Sequence, residues 1–298
     1  MFDRDAILLG ITPTGWTNDD FPGLGEEIPF EQCVSEMALA GFQGCSVGHK
    51  YPTDPAELRA ALDLRGLRVS EPWASTYFTS CEMGRQTDES FRRQLGFIKA
   101  MGGTDIVIAE LGHSVHQQPV ALLPNRPRFD DLQWRAMVEG VNRLGGVARG
   151  EGMRLCYHHH MGTGVQDREE VDRLMRDTDP ECVHLLLDTG HLYWAGGDPA
   201  QLARDHAGRI KHVHLKDVRR PVMQESISLG RSFFEAIRAG VFTVPGDGDI
   251  DFRPVLQALA DSGYRGWLVV EAEQDPARAH PLTYAKKARA YLRETAAL

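Results

Sequence analysis

The sequence contains no apolar run that approaches the length of a bilayer-spanning helix. It opens Met-Phe-Asp-Arg-Asp, without the basic region and long apolar stretch of a secretory leader. A membrane span and export are therefore not expected, and a soluble protein of the cytoplasm is. Cysteine is scarce: Cys33, Cys45, Cys81, Cys156 and Cys182 make an odd set with no CxxC spacing. That argues against a disulfide framework and a cysteine-rich zinc module, and fits a reducing compartment. Basic residues are in the minority, 33 Lys and Arg against 42 Asp and Glu, for a formal net charge of -9. A broad nucleic-acid or anionic-membrane surface needs a basic patch to displace counterions, so neither partner is expected. No GxGxxG follows the first apolar run, which disfavours an open dinucleotide-binding sheet. No Ser/Gly-rich linker, low-complexity tract, charge block or sequence repeat divides the 298 residues, and residues 1–298 read as one domain.

Hydrophobic residues make up 42% of the chain, enough for a full core, and they are arranged in a regular rhythm. Eight β-branched, apolar runs can be counted: Ala6–Ile11, Gly44–Val47, Leu67–Ser70, Asp105–Ala109, Arg154–His158, Val183–Asp188, Ile210–Leu215 and Trp267–Glu271. Segments with helical spacing separate them. Phe30, Cys33, Val34, Met37 and Ala38 follow the i, i+3, i+4, i+7 pattern, and Pro55–Leu64 has Asp54 as its cap and proline at its first position. Strand–helix alternation repeated eight times predicts an α/β protein of the (β/α)8 TIM barrel class. One segment breaks the rhythm. Asp217–Asp251 is too long for a simple connection and holds a short helix candidate, Ser232–Ala239, ahead of a turn-rich Pro-Gly-Asp-Gly-Asp loop.

Four runs of the second half end in metal-type ligands: Tyr157-His158-His159-His160, Leu187-Asp188-Thr189-Gly190-His191, His212-Val213-His214-Leu215-Lys216, and Val270-Glu271-Ala272-Glu273. In a parallel barrel the chemistry lies at the carboxyl ends of the strands, so these side chains converge on one rim. Alternation puts His158 with His160, His212 with His214 and Glu271 with Glu273 on shared faces. A single buried histidine is usually a hydrogen-bonded core residue, and a lone carboxylate at a strand end usually caps the next helix. Four strands with matching ends favour a divalent cation instead. Imidazoles mixed with carboxylates suit Mn, Co, Fe or Zn better than calcium. Asp188, His214 and Glu271 are the first choices as ligands, with His158 or His160 as the fourth and His159 facing outward. Glu110 is an acid/base candidate that competes with a capping role. Lys216 could hold an oxyanion, donate a proton or pair with Asp217. Trp16, Asn18, Lys50 and Trp73, after strands one to three, are substrate-contact candidates. His113 and His116 read as loop surface, and Phe233 and Phe234 as packing.

The strings Lys50-Tyr51-Pro52, His158-His159-His160-Met161-Gly162-Thr163-Gly164, Asp188-Thr189-Gly190-His191, His212-Val213-His214-Leu215-Lys216-Asp217 and Val269-Val270-Glu271-Ala272-Glu273-Gln274-Asp275-Pro276 resemble the xylose-isomerase-like TIM barrel superfamily. Within it the chain is similar, over nearly its whole length, to the dehydratases that act on 2-keto-myo-inositol. The resemblance implies a Mn- or Co-type cation, with Zn, Fe or Mg as other candidates, and loss of water from a cyclitol ketone to give a trihydroxycyclohexane-dione. It implies His158 as a ligand where relatives usually carry Glu, with Asp188, His214 and Glu271. His160 would stand beside the substrate, and His160 or Glu110 would be the base. His191 or Lys216 would assist the departing hydroxyl. Ser46 stands where the family pattern expects an acidic residue. A sugar epimerase or isomerase on the same barrel is the alternative activity, and a homo-oligomer is compatible with the sequence.

Overall fold

The computed structural model describes residues 2–80 and 82–298. Of the five cysteines, Cys33, Cys45, Cys156 and Cys182 are buried and unpaired, and Cys81 lies outside the described residues.

The strands are β1 (Ile7–Ile11), β2 (Gly44–Cys45), β3 (Arg68–Val69), β4 (Trp73–Thr76), β5 (Asp105–Glu110), β6 (Arg154–His158), β7 (Val183–Asp188), β8 (Ile210–Leu215), β9 (Asp217–Val218), β10 (Phe242–Thr243) and β11 (Gly266–Val270). Nine form one parallel sheet in the order β3-β2-β1-β11-β8-β7-β6-β5-β4. Its two ends, β3 and β4, are halves of a single stave. β3 pairs with β2 and β4 with β5, so the sheet curls into the expected eight-staved barrel. The stave breaks at Ser70-Glu71-Pro72. Ser70 N–H still donates to Cys45 O at 2.9 Å, and the Pro72 carbonyl accepts from Val107 N–H at 3.2 Å, but proline has no N–H for the ladder. Trp73 therefore opens a strand and does not merely follow one.

Helices flank the staves close to the sequence-read segments. Phe30–Leu39 buries Phe30, Cys33, Val34 and Met37, and Pro55–Asp63 is capped by the Asp54 carboxylate. Asp131–Gly150 starts where Asp130 and Gln133 form a capping box. The long segment after β8 folds as helices Arg220–Ser228 and Phe233–Ala239, followed by β10, which pairs antiparallel with β9. The first of these helices carries weak helical spacing in the sequence.

Period-two alternation decides which side chains enter the barrel. On β8, Val213 and Leu215 join the large core between sheet and helices. His212 and His214 face inward. On β5, Ile106 and Ile108 face outward, and Asp105 and Val107 inward. The interior of such a barrel is normally layered with branched apolar residues. Here Val107, Cys156 and Leu186 form a small apolar cluster of their own, and buried ionisable side chains stand around it.

Candidate metal centre

His158 closes β6, Asp188 closes β7, His214 is the penultimate residue of β8, and Glu271 follows β11 directly. One ligand atom from each lies within 4.8 Å of all the others. His158 Nε2 is 3.6 Å and His214 Nδ1 3.8 Å from Asp188 Oδ2, and His214 Nδ1 is 2.7 Å from Glu271 Oε2. Asp188 serves as both cap and ligand candidate. Its Oδ1 accepts from His191 N–H at 2.8 Å, capping the helix Thr189–Trp194. Its Oδ2 is wholly buried with no hydrogen-bond partner. A buried, unsatisfied carboxylate oxygen facing two imidazoles and a second carboxylate is what a divalent cation would satisfy, so the residues fit one.

The charges agree. Burial pushes His158 well below its ordinary value, aided by the neighbouring His214 charge, which leaves a neutral ring with a lone pair to offer. Burial opposes charge on His214, but Glu271 and Glu71 overcome it and raise the group to about 10. Burial likewise opposes charge on Glu271, and Lys216 and His214 hold it down at about 2. A proton thus bridges His214 and Glu271, in a gap where a cation would displace it.

His214 is oriented from behind. Its Nε2 lies 3.2 Å from Glu71 Oε1, and the other Glu71 oxygen lies 3.3 Å from His212 Nε2, an ion contact without hydrogen-bond alignment. His212 Nδ1 is 3.1 Å from Asp105 Oδ2, and Arg154 Nε donates to Asp105 Oδ1 at 2.6 Å. A carboxylate on the far nitrogen of a ligating histidine fixes its tautomer and ring orientation. Glu71→Gln should weaken metal affinity about 10–100-fold, read by calorimetric titration of the metal-free protein. Unchanged affinity would deny Glu71 this role. Sequence reasoning missed Glu71 because it sits in the stave's break, where no alternation marks it.

Above the cluster, at the strands' carboxyl ends, opens a cavity of about 280 Å³. His158, His160, His214, Glu271, Asn18 and Trp73 all line it. His160 falls outside the four-ligand group and instead lies with His191 and Glu273. Its Nδ1 faces the Met161 carbonyl at 2.8 Å, and its ring centroid is 3.8 Å from that of His191. The Trp73 ring meets the His158 ring edge-on at 5.6 Å. Asn18 Oδ1 accepts from Asp20 and Phe21 N–H, while its Nδ2 is buried without a partner.

Other expected site residues are placed elsewhere. Glu110 shares the outward face of Ile106 and Ile108. Its carboxylate accepts from Thr76 Oγ1, Phe78 N, Thr79 N, Thr79 Oγ1 and Gly112 N at 2.9–3.2 Å, so it organises a loop and does not line the cavity. Lys50 Nζ donates to the carbonyls of Gly25, Glu26 and Ile28 at 2.7–3.0 Å and is committed to that turn. Trp16 is core, its Nε1 donating to Glu36 Oε2 at 2.7 Å. Lys216 is wholly buried beside the ligands, 2.7 Å from both Glu273 Oε2 and His191 Nε2 and 3.4 Å from Glu271 Oε2. Asp217, the partner considered for it, instead accepts from Val218, Gly246, Gly248 and Ile250 N–H. Neither Lys216 nor His191 lines the cavity, so both support the site from behind. A Cβ on Gly190 would lie 2.5 Å from Lys216 Cγ, which is why the turn after Asp188 needs glycine. His159 faces outward and accepts from Asp188 N–H at 3.2 Å. His113 is exposed, as read, but His116 is not: it is 4% exposed and lines the cavity.

The model of the family described as xylose isomerase-like TIM barrel matches residues 34–295, and the chain belongs to that family. Solved structures agree on the fold. The IOLI protein with a bound zinc atom has a TM-score of 0.69 at 15% identity, with 97% of this chain and 96% of that one covered. A probable 3-DHS dehydratase from Bacillus anthracis has a TM-score of 0.70 at 13% identity, covering 96% and 98%. The kinship narrows in sequence. The chain is 52% identical to an inosose dehydratase of Geobacillus thermodenitrificans and 49% identical to one of Clostridium tetani, each over 100% of both chains.

Proposed function

We propose that this chain is an inosose dehydratase, a carbon–oxygen hydro-lyase. It removes water from 2-keto-myo-inositol (scyllo-inosose) in myo-inositol catabolism and gives a trihydroxycyclohexane-1,2-dione. The observation that carries the reading is the convergence of His158, Asp188, His214 and Glu271 on one point at the floor of a cavity sized for a small ring. Full-length identity near 50% to inosose dehydratases supports the substrate.

The four side chains would hold a divalent cation: two imidazoles with two carboxylates suit Mn, Co, Fe or Zn, and the family resemblance favours Mn or Co, with Mg a further candidate. When bound, such an ion supplies Lewis acidity to a ketone oxygen. His160 is the base. Burial lowers it well below its ordinary value, with the His116 and His158 charges acting the same way, so the ring is neutral. Donation from Nδ1 to the Met161 carbonyl leaves the lone pair on Nε2, free to take the proton next to the ketone. Asn18 Nδ2 is a free donor for a ring hydroxyl, and Trp73 presents an apolar face to the ring carbons. Lys216, held charged by Glu271, Glu273 and Asp188 despite its burial, balances the carboxylates beside the ligands.

No helix among the described residues is long and apolar enough to cross a membrane. Four buried, unpaired thiols support a cytoplasmic location.

Purified protein mixed with inosose should form an ultraviolet-absorbing dione, lose that activity to a chelator and regain it with Mn or Co. It should leave simple ketoses unchanged. Turnover that survives exhaustive chelation would rule out the metal-dependent reading, and epimerised ketose would replace the dehydratase with the sugar-epimerase alternative.

A further inference from the structure

Elimination of water needs an acid for the departing hydroxyl as well as a base for the C–H proton. The histidine and lysine nearest the ligands cannot meet that need, since His191 and Lys216 are fully buried and do not reach the cavity. The roof of the cavity offers another group. The loop after β1 and the loop after β5 meet across the barrel mouth. Gln117 Nε2 donates to Asp20 Oδ1 at 2.7 Å, and His116 Nε2 lies 3.5 Å from the same oxygen. Val115 N–H donates to Gly162 O at 2.9 Å, which ties this roof to the loop carrying His160. The His116 ring stands edge-on to His160, with centroids 5.2 Å apart, and to Phe233 at 6.5 Å. Its Nδ1 is buried with no partner, while the residue lines the cavity together with Asp20.

We infer that His116, held through Nε2 by the Asp20 carboxylate, is the acid that protonates the departing hydroxyl from Nδ1. The assignment rests on the dehydratase reading above. The base takes the proton from the carbon beside the ketone, and that C–H pair becomes the new C=C bond. The bond to the neighbouring carbon's hydroxyl breaks with its pair on oxygen, and the His116 Nδ1 proton joins it to make water. The enol left behind tautomerises to the dione. One proton enters the base and one leaves His116, and exchange with solvent resets both. Asp20 acts as the positioning residue. Its carboxylate faces Nε2, which leaves Nδ1 as the ring nitrogen without a partner. His160 faces this ring across the gap, and Glu273 lines the same cavity.

The test uses the metal-loaded protein with three variants and two readouts, dione formation and uptake of solvent deuterium into unreacted inosose. His116→Gln should lower dione formation about 100-fold or more, since positioned proton transfer contributes on that order. It should keep its metal content, and it should still wash deuterium into inosose, because the base step is intact. Asp20→Asn should lower dione formation while keeping metal content and deuterium uptake, since it disturbs only the ring that faces the departing hydroxyl. His160→Ala should lose deuterium uptake and dione formation together. A His116→Gln protein within threefold of wild-type turnover overturns the assignment. So does one that loses deuterium uptake as completely as His160→Ala, or an Asp20→Asn protein whose dione formation is unchanged. A wild-type protein inactive on inosose removes the dehydratase reading itself, whereas an active wild type with an active His116→Gln removes only this one.

Discussion

Asp188→Ala is expected to give a protein that neither retains a divalent cation nor dehydrates inosose, with turnover down about 1000-fold or more. The size of the effect follows from the geometry. Asp188 Oδ2 is the central oxygen of the cluster, within 3.8 Å of His158, His214 and Lys216, and it is buried without a hydrogen bond. The Lewis-acid contribution of a bound cation is several kcal/mol, and each ~1.4 kcal/mol is tenfold in rate. The same substitution removes a helix cap, since Oδ1 accepts from His191 N–H, at a cost of about 1 kcal/mol. Asp188→Asn separates the two roles, because its amide oxygen can still cap while the carboxylate charge is gone. Both variants should lose metal by elemental analysis, and the Asn variant should melt nearer to wild type. Stoichiometric metal in purified Asp188→Ala would show that the four side chains do not share an ion.

His160→Ala is expected to behave in the opposite way, keeping the metal and losing turnover by about 10²–10⁴-fold, the usual contribution of a positioned base. His160 sits one alternation beyond His158, in a separate group with His191 and Glu273, so its removal leaves the four ligand atoms in place. The comparison to make is kcat at saturating metal beside the metal dissociation constant. A His160→Ala enzyme with near-normal kcat would take the base assignment away. A large loss of affinity with it would mean that His160 belongs to the metal.

The staves were legible because they are long enough to show a period. β5, β6, β7 and β8 fall within a residue of their apolar runs, and alternation alone predicts that His158, Asp188, His214 and Glu271 share the inner face. The same rule places Glu110 with Ile106 and Ile108 on the outer face. Its position at a strand end carried the acid/base reading, and its parity is the signal that corrects it. The third stave was only half legible, since Pro72 interrupts its ladder and Glu71 lies in the interruption. Lys50 and Trp16 look like binding residues in a linear sequence. Only the fold reveals that three carbonyls surround one and Glu36 meets the other. His116 was read as loop surface because nothing in a loop's sequence tells whether the loop folds over a cavity or away from it.

The break in the third stave has a consequence for how such a protein can diverge. The four candidate ligands stand at the ends of consecutive paired staves, β6, β7, β8 and β11, with one irregularity in the β7–β8 register at Leu185/Leu186. The opposite half carries the gap, the strand β4 that Trp73 opens, and the loops that bear Asn18, Asp20 and His116. Apart from Glu71, which braces His214, substitutions that reshape substrate preference can accumulate on this looser side without touching the four candidate ligands. One inherited anchorage could thereby serve a succession of different ring ketones.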